Sequence, residues 1–257
     1  MVKIAAAQIK VEDDVDINLR KILDYLTNAK KENVDIVCFP ETCLASYQEK
    51  LIDVSTQVRQ IQKKCKDLSI HCVFGTYMSA GKKNRNVSYL IDDKGKIIYE
   101  YDKVHLWRTE KKYVISGKGN KVIDTKLGKI GIITCWDFSR PRYVRELSRE
   151  GARIIFCPSF LVNSRRFDFL LKWVPKIRAF ENSVYFVMCD AFLSTTHSRS
   201  YIASPNGLEA GIDHKEGMIM TMVDEKNYQM GLFRKILYIP FSLVFNSLLI
   251  LFRGFLE

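Results

Sequence analysis

The sequence contains few residues that break regular structure, with 13 glycines and 6 prolines among 257 residues. No stretch rich in these residues marks a flexible linker, and the chain has neither an internal repeat nor a low-complexity segment. Two small domains would need such a linker, whereas large α/β folds often reach this length as one unit. We therefore expect one domain over residues 1–232, followed by a separate tail over 233–257.

The cysteines show no sign of a disulfide framework. Their number, seven, is odd, and their spacing is irregular. Neither Cys38 with Cys43 nor Cys65 with Cys72 beside His71 fits a zinc spacing, so we expect buried apolar side chains and no metal. The first residues lack the long apolar core of a secretory signal. These features indicate a reducing, cytoplasmic setting.

The net charge of +11 raises the question of an anionic partner. The basic residues are scattered, and no known nucleic-acid module or aromatic-interleaved basic motif accompanies them. We therefore predict no nucleic-acid binding.

The tail is the most unusual segment. Residues 236–252 carry no charge and are flanked by Arg234, Lys235 and Arg253. Seventeen residues lie at the lower limit for crossing a hydrocarbon core of about 30 Å. Three interpretations stay open: packing against a partner subunit, burial as a terminal helix, or association with a membrane surface. The flanking cations favour an anionic membrane at its inner face, bound through residues 233–257.

Strands and helices alternate early and late in the chain, with a hairpin in the middle, which predicts an α/β protein with mixed strand directions. Three residues with reactive side chains each follow a predicted strand: Glu41, Lys103 and Cys135. Because functional groups of α/β folds gather at strand ends, we expect these three side chains to converge.

Cys135 occupies a predicted turn from a buried strand into a helix. This position predicts an exposed sulfur near helix N-terminal N–H groups, which would lower the thiol pKa. The backbone N–H of Trp136 would be free to bind an oxyanion. The alternative is a structural cysteine, and six other cysteines make that alternative concrete.

Lys103 and Glu41 each have two interpretations. Lys103 is either a surface charge or, within a closed pocket, a cation that stabilises an oxyanion, with Glu110 seven residues on as its support. Glu41 is either a turn residue or a general base, since burial behind an apolar strand raises the pKa of a carboxylate.

Taken together, these segments resemble the nitrilase superfamily, also called carbon–nitrogen hydrolases, over roughly residues 1–224. The matching motifs follow the family's order: 39–41 (Phe-Pro-Glu), Asn86, Gly95, 101–106 (Tyr-Asp-Lys-Val-His-Leu), Glu110, Gly117, 131–137 (Gly-Ile-Ile-Thr-Cys-Trp-Asp), 178–182 (Arg-Ala-Phe-Glu-Asn) and 200–207 (Ser-Tyr-Ile-Ala-Ser-Pro-Asn-Gly). The resemblance implies a four-layer α-β-β-α sandwich that forms a homodimer or a higher homo-oligomer. It also implies a catalytic triad of Glu41, Lys103 and Cys135, supported by Glu110, that works without metal or organic cofactor.

Four further residues are candidates for substrate contact: Asp137, Arg165, Arg166 and Trp173. The two arginines fall in a stretch that lines part of the pocket in this family and would meet a substrate carboxylate, although the start of a solvent-facing helix explains them equally well. Core packing is the competing interpretation for Trp173. His105, two residues after Lys103, is interpreted as a structural histidine.

The predicted function is hydrolysis of a non-peptide carbon–nitrogen bond in a small carboxamide or N-carbamoyl compound. The reaction would pass through a thioester on Cys135 and release ammonia. The alternatives are nitrile hydrolysis through a thioimidate, acyl transfer by a membrane-tethered enzyme, and a non-catalytic interaction protein.

Overall fold

A computed structural model describes residues 1–46, 53–161, 168–194 and 198–228. Two of the candidate substrate residues, Arg165 and Arg166, lie outside these ranges, as does the apolar tail over 233–257. Within the described part of the chain, no helix is both long and apolar enough to cross a membrane.

The first of two six-stranded sheets combines three parallel strands with antiparallel neighbours. Its strands are β1 (Val2–Gln8), β2 (Ile36–Cys38), β3 (His71–Ala80), β4 (Lys83–Ile91), β5 (Ile97–Asp102) and β12 (Gly217–Val223). Their order across the sheet is β12-β1-β2-β3-β4-β5, in which β1, β2 and β3 run parallel. Mixed strand directions were predicted from the sequence, and this sheet has them.

The second sheet repeats the same plan. Its strands are β6 (Ile123–Thr125), β7 (Gly128–Ile132), β8 (Ile154–Ser159), β9 (Tyr185–Asp190), β10 (Arg199–Ser204) and β11 (Gly207–Asp213). Their order is β11-β10-β9-β8-β7-β6, with β7, β8 and β9 parallel at the centre.

Helices cover the outer face of each sheet. The helices α1 (Val15–Lys31) and α2 (Ser55–Leu68) pack on the first sheet, and α3 (Pro141–Arg149) and α4 (Asp168–Asn182) pack on the second. A third apolar cluster fills the space between the sheets, where residues such as Ile4 and Val73 meet Ile132 and Phe156. These layers confirm the predicted four-layer α-β-β-α sandwich.

The α1 helix is capped by Asp14, whose Oδ1 accepts the N–H groups of Asp16 and Ile17. Two strands have no clear apolar run in the sequence: β6 has only three residues, and β11 contains two glycines and two acids.

Candidate active site

Glu41 lies in a loop directly after β2 and is almost fully buried. The loop lies tight against β3, since a Cβ on Gly75 would come within 2.5 Å of the Thr42 nitrogen and 2.9 Å of the Glu41 Cα. Thr42 itself adopts a left-handed backbone conformation with φ of 52°. The position of the Glu41 carboxylate therefore depends on a glycine in the neighbouring strand.

Lys103 follows β5 by one residue and is also buried. Its backbone N–H donates to the Asn86 carbonyl at 2.9 Å, and its carbonyl accepts the Gly117 N–H at 2.9 Å. Its ammonium Nζ lies 2.8 Å from Glu41 Oε1 and 2.8 Å from Glu110 Oε2. One cation thus holds two carboxylates together in the interior.

Cys135 begins a short 3₁₀ helix, Cys135–Ser139, that follows β7. Its φ of 47° is uncommon for a residue other than glycine and marks local strain, which often accompanies function. The Cys135 thiol lies within interaction range of the Glu41 carboxylate and of the Phe160 backbone N–H. The structure therefore brings Glu41, Lys103 and Cys135 into one cluster.

The cluster contains donors whose roles were not assigned from the sequence. The Asn86 amide donates to Glu41 Oε1 at 2.7 Å and to Glu110 Oε1 at 3.0 Å. The Phe160 N–H donates to the second Glu41 oxygen at 3.0 Å. Asn86 was noticed as part of a motif, but a backbone N–H such as that of Phe160 has no sequence signature.

Glu110 is fully engaged by the protein. Its Oε2 accepts the Trp107 backbone N–H at 2.7 Å in addition to the Lys103 ammonium, and its Oε1 accepts the Tyr77 hydroxyl at 3.3 Å and the Asn86 amide. These bonds place Glu110 as the fixed counter-ion of Lys103.

Burial dominates the electrostatics of the cluster. Burial raises the pKa of Glu41 above its ordinary value, the Lys103 charge opposes this shift, and the Glu110 charge adds to it. The expected direction for Glu41 is confirmed. Burial alone would lower the pKa of Lys103, but its interactions with Cys135, Glu41 and Glu110 outweigh burial and hold that pKa well above its ordinary value.

The predictions for the Cys135 sulfur were wrong. The residue is only 6% exposed. Burial, together with the Glu41 charge, raises the pKa of the thiol well above its ordinary value, and the opposing effect of Lys103 is smaller. At neutral pH the resting thiol is therefore protonated, and it needs a base before it can act as a nucleophile.

The Trp136 N–H remains available at the start of the 3₁₀ helix. Across the ranges that the structure covers, this N–H has no protein acceptor, as expected for the first turn of a helix. The Trp136 ring packs edge-to-face on Trp107, with centroids 4.5 Å apart.

The assignment of Asp137 to substrate contact was wrong, because its carboxylate is fully buried and occupied by protein donors. Its Oδ2 accepts the Thr134 N–H at 2.9 Å and the Tyr101 hydroxyl at 2.7 Å. Its Oδ1 accepts the His105 N–H at 2.8 Å and lies 2.7 Å from His105 Nδ1. Asp137 therefore ties the loop after β5 to the turn at Cys135, and His105 has the structural role expected of it.

Trp173 lies on α4 and is 41% exposed, so the core-packing interpretation was wrong. The Lys176 ammonium lies 4.9 Å from its ring centroid.

Among the residues that the structure describes, no group of three or more metal-ligating side chains is arranged around a common point.

Replacing Gly117 with alanine is expected to destabilise the protein by about 1 to 3 kcal/mol, because an inserted methyl group forces the backbone apart. A Cβ at this position would lie 2.1 Å from the Asp102 carbonyl oxygen, next to Lys103. Urea unfolding measures the loss. Gly119→Ala is the matched control, since a Cβ there has no neighbour within 4 Å, and equal stability of both variants would contradict the prediction.

The sequence and the fold were compared with those of known proteins. A family model described as carbon-nitrogen hydrolase matches residues 3–229. A probable nitrilase of Schizosaccharomyces pombe is 28% identical over 234 residues, which cover 82% of this chain and 84% of the relative. An omega-amidase of Saccharomyces cerevisiae is 26% identical over 236 residues, which cover 80% and 81%.

A solved structure shares the fold. It is a mutant of the amidase from Nesterenkonia sp. AN1 with the acetamide moiety of fluoroacetamide added covalently at its active-site cysteine. The TM-score is 0.80 at 18% sequence identity, over 88% of this chain and 92% of that one. With a family model matching nearly its whole length, the chain belongs to the carbon–nitrogen hydrolase family.

Proposed function

We propose that the protein is a cysteine-dependent amidase that hydrolyses a small carboxamide or N-carbamoyl compound and releases ammonia. The observation that carries this proposal is the contact of the Glu41 carboxylate with both the Cys135 thiol and the Lys103 ammonium inside one buried cluster. The omega-amidase relative, and the amidase that carries the acetamide moiety of fluoroacetamide on its cysteine, support an amide as substrate.

The first half of the reaction forms a thioester. Glu41 takes the proton of the Cys135 thiol as the sulfur attacks the amide carbon, and the carbonyl π electrons move to the oxygen. The Lys103 ammonium and the Trp136 N–H stabilise this oxyanion in a site from which water is largely excluded. The carbon–nitrogen bond then breaks, and ammonia leaves with the proton that Glu41 returns.

The second half hydrolyses the thioester. Glu41 takes a proton from a water molecule as the oxygen of that water attacks the acyl carbon. The Lys103 ammonium and the Trp136 N–H stabilise the second oxyanion. The carbon–sulfur bond breaks, the carboxylic acid is released, and Cys135 regains its proton. Asn86 and Phe160 keep both oxygens of Glu41 oriented throughout.

The test is to capture the acyl group on the sulfur. The protein is incubated with a panel of carboxamides and N-carbamoyl compounds, ammonia is followed, and acid-quenched samples are analysed by peptide mass spectrometry. We expect the acyl mass on the peptide that contains Cys135. Cys157, a buried thiol beside the Cys135 carbonyl, is the internal control. Turnover with acyl groups only on other residues would refute the proposal, and silence over a broad panel would favour a non-catalytic protein.

Nitrile hydrolysis is the second candidate, favoured by the likeness to a probable nitrilase. The same three residues would form a thioimidate, which water converts to the acid and ammonia. Offering each nitrile beside its corresponding amide separates the two candidates, because an amidase releases ammonia only from the amide. The acyltransferase alternative depends on residues 233–257, which lie outside the described ranges.

The pH profile of kcat/KM should show an acid limb above pH 4.5, the ordinary pKa of a glutamate. The base form of Glu41 is required for attack, and burial raises the pKa of this carboxyl. Activity is therefore lost as pH falls through that raised pKa. Steady-state rates between about pH 4 and 8 measure the limb, with unfolding monitored at each pH. A limb at or below 4.5 would contradict Glu41 as the base.

A further inference from the structure

The segment that follows β8 brings a backbone N–H to the candidate base. Strand β8 ends at Ser159, and within the described ranges neither Phe160 nor Leu161 makes a backbone–backbone hydrogen bond. Their N–H groups donate instead to two buried carboxyl groups. The Phe160 N–H donates to Glu41 Oε2 at 3.0 Å. The Leu161 N–H donates to Asp190 Oδ1 at 2.9 Å. These two acids therefore set the course of the segment.

Asp190 is a fixed anchor. It is the last residue of β9 and is fully buried. Its second oxygen, Oδ2, accepts the Arg199 N–H at 3.3 Å. Its own N–H donates to Ser200 Oγ at 2.9 Å, and that hydroxyl donates to Gln8 Oε1 at 2.8 Å. Because these bonds tie Asp190 to β10 and, through Ser200, to β1 of the other sheet, its carboxyl group offers the Leu161 N–H an acceptor with little freedom to move.

The anchored N–H and the N–H at the candidate base belong to neighbouring residues. Peptide units are planar, so only the φ and ψ angles of Phe160 separate the two groups. Strand β8 fixes the chain on one side of Phe160, and the Leu161 bond to Asp190 fixes it on the other. The Phe160 N–H is thereby held within interaction range of the Cys135 sulfur as well as of Glu41.

The acceptor atoms of Asp190, and not its charge, explain its position. Burial raises the pKa of Asp190 well above its ordinary value, and the N–H bonds from Leu161 and Arg199 oppose this shift. The nearby charge of Glu41 raises the pKa further. Because a second negative charge beside a buried carboxylate is unfavourable, an uncharged acceptor would serve the Leu161 N–H equally well.

We propose that Asp190 is a positioning residue for Glu41. It acts through the adjacent N–H groups of Leu161 and Phe160, which keep the Glu41 carboxylate oriented beside the thiol. The inference rests on the proposed amidase function, in which Glu41 is the base, and adds a residue that touches neither substrate nor sulfur. Loss of the acceptor should slow removal of the thiol proton and leave substrate binding unchanged.

Two variants separate the acceptor from the charge. Asp190→Leu keeps the branched shape and removes both acceptor oxygens, whereas Asp190→Asn removes the charge and keeps one oxygen for the Leu161 N–H. Per folded molecule, we expect kcat of the leucine variant to fall at least about tenfold, with KM within about threefold of the native value. The asparagine variant should retain kcat within about threefold.

The matched control is Asp35→Leu. Asp35 also accepts a backbone N–H, that of Lys3 at 2.8 Å, but it precedes β2 and so lies at the opposite end of this strand from Glu41. The same substitution there should leave kcat and KM near their native values, whatever stability it costs.

A second measurement reports on the base without any amide substrate. Methyl methanethiosulfonate transfers its methylthio group to a thiol: the sulfur of Cys135 forms the new disulfide bond, methanesulfinate leaves, and the thiol proton passes to Glu41. Acid-quenched samples analysed by peptide mass spectrometry give the rate at Cys135, with the fully buried Cys157 as the internal reference. We expect this rate to fall at least about tenfold in Asp190→Leu and to stay near native in Asp190→Asn and Asp35→Leu.

The outcomes distinguish this inference from the proposed function. Equal losses in the leucine and asparagine variants would overturn the inference, because the charge would then matter and not the acceptor. Native rates in Asp190→Leu, or a Cys135 that reacts no faster than Cys157 in the native protein, would overturn it as well. If no amide is hydrolysed, the amidase proposal fails and the modification rates alone decide the inference. Should the leucine variant not fold, Asp190→Ser takes its place, since its hydroxyl ends one bond short of the carboxyl oxygens.

Discussion

Replacing Cys135 with alanine is expected to lower the rate of ammonia release by at least about 10⁴-fold. The remaining donors can still bind the carbonyl oxygen, but no other thiol contacts the Glu41 carboxylate in the described cluster. Without the sulfur, the single addition step cannot be divided into two easier ones. Ammonia release from the best amide of the panel, with equal concentrations of folded protein, measures the effect.

The fold should survive this change, since alanine retains the Cβ and the left-handed backbone that Cys135 already adopts. Near-unchanged thermal unfolding would show this. Cys157→Ala is the matched control, because it removes a fully buried thiol in the same region that lies near Ser159 and does not touch Glu41. That variant should retain activity within about tenfold, whatever its stability loss. Persistent ammonia release in Cys135→Ala would remove Cys135 from the mechanism.

The three candidate catalytic residues could be located from the sequence because each follows a short apolar strand. Glu41, Lys103 and Cys135 come after β2, β5 and β7, and the hydrophobic pattern of those strands is visible without a structure. Their convergence follows from the two-sheet packing, in which strand ends from both sheets meet. The spacing of these residues along the chain does not give the distances between their side chains, because those distances are set by the packing of the two sheets.

The burial of the Cys135 sulfur could not be predicted from the residues around it in the sequence. The turn at Cys135 correctly suggested a helix N-terminus, from which a lowered thiol pKa was predicted. The folded chain buries the sulfur instead, and desolvation together with the Glu41 charge outweighs the opposing Lys103 charge. A pKa direction inferred from neighbouring residues alone is therefore unreliable at a site enclosed by distant segments.

Asp137 illustrates the same limit. Its place close to Cys135 suggested contact with substrate, whereas it bonds Tyr101 and His105, more than 30 residues away in the chain. The structural requirement for Gly75 is equally invisible, because the Glu41 loop that crowds it comes from another part of the sequence. Long-range contacts of this kind need the fold.

Replacing Lys103 with methionine should abolish activity and destabilise the protein at neutral pH. Methionine keeps the length of the side chain, but it leaves Glu41 and Glu110 buried without the ammonium that contacts both at 2.8 Å. Removing one partner of a buried ion pair costs about 3 to 5 kcal/mol, and losing an oxyanion donor lowers kcat by about 10²- to 10³-fold. Loss of the base form of Glu41 adds to that effect, since the Lys103 charge lowers the pKa of this carboxyl.

The stability loss should depend on pH in a definite direction. In Lys103→Met the folded-state pKa of Glu41 moves further above 4.5, the value expected for the unfolded chain. Between these two values the folded state binds more protons than the unfolded state, so the free energy of unfolding falls as pH rises. Urea unfolding at about pH 5 and pH 8 should therefore show the larger deficit at pH 8. Adding Glu110→Gln removes one of the two unpaired carboxylates and should restore part of the stability but none of the activity. A variant that stays active, or whose deficit shrinks as pH rises, would show that Lys103 is not the cation that holds this site together.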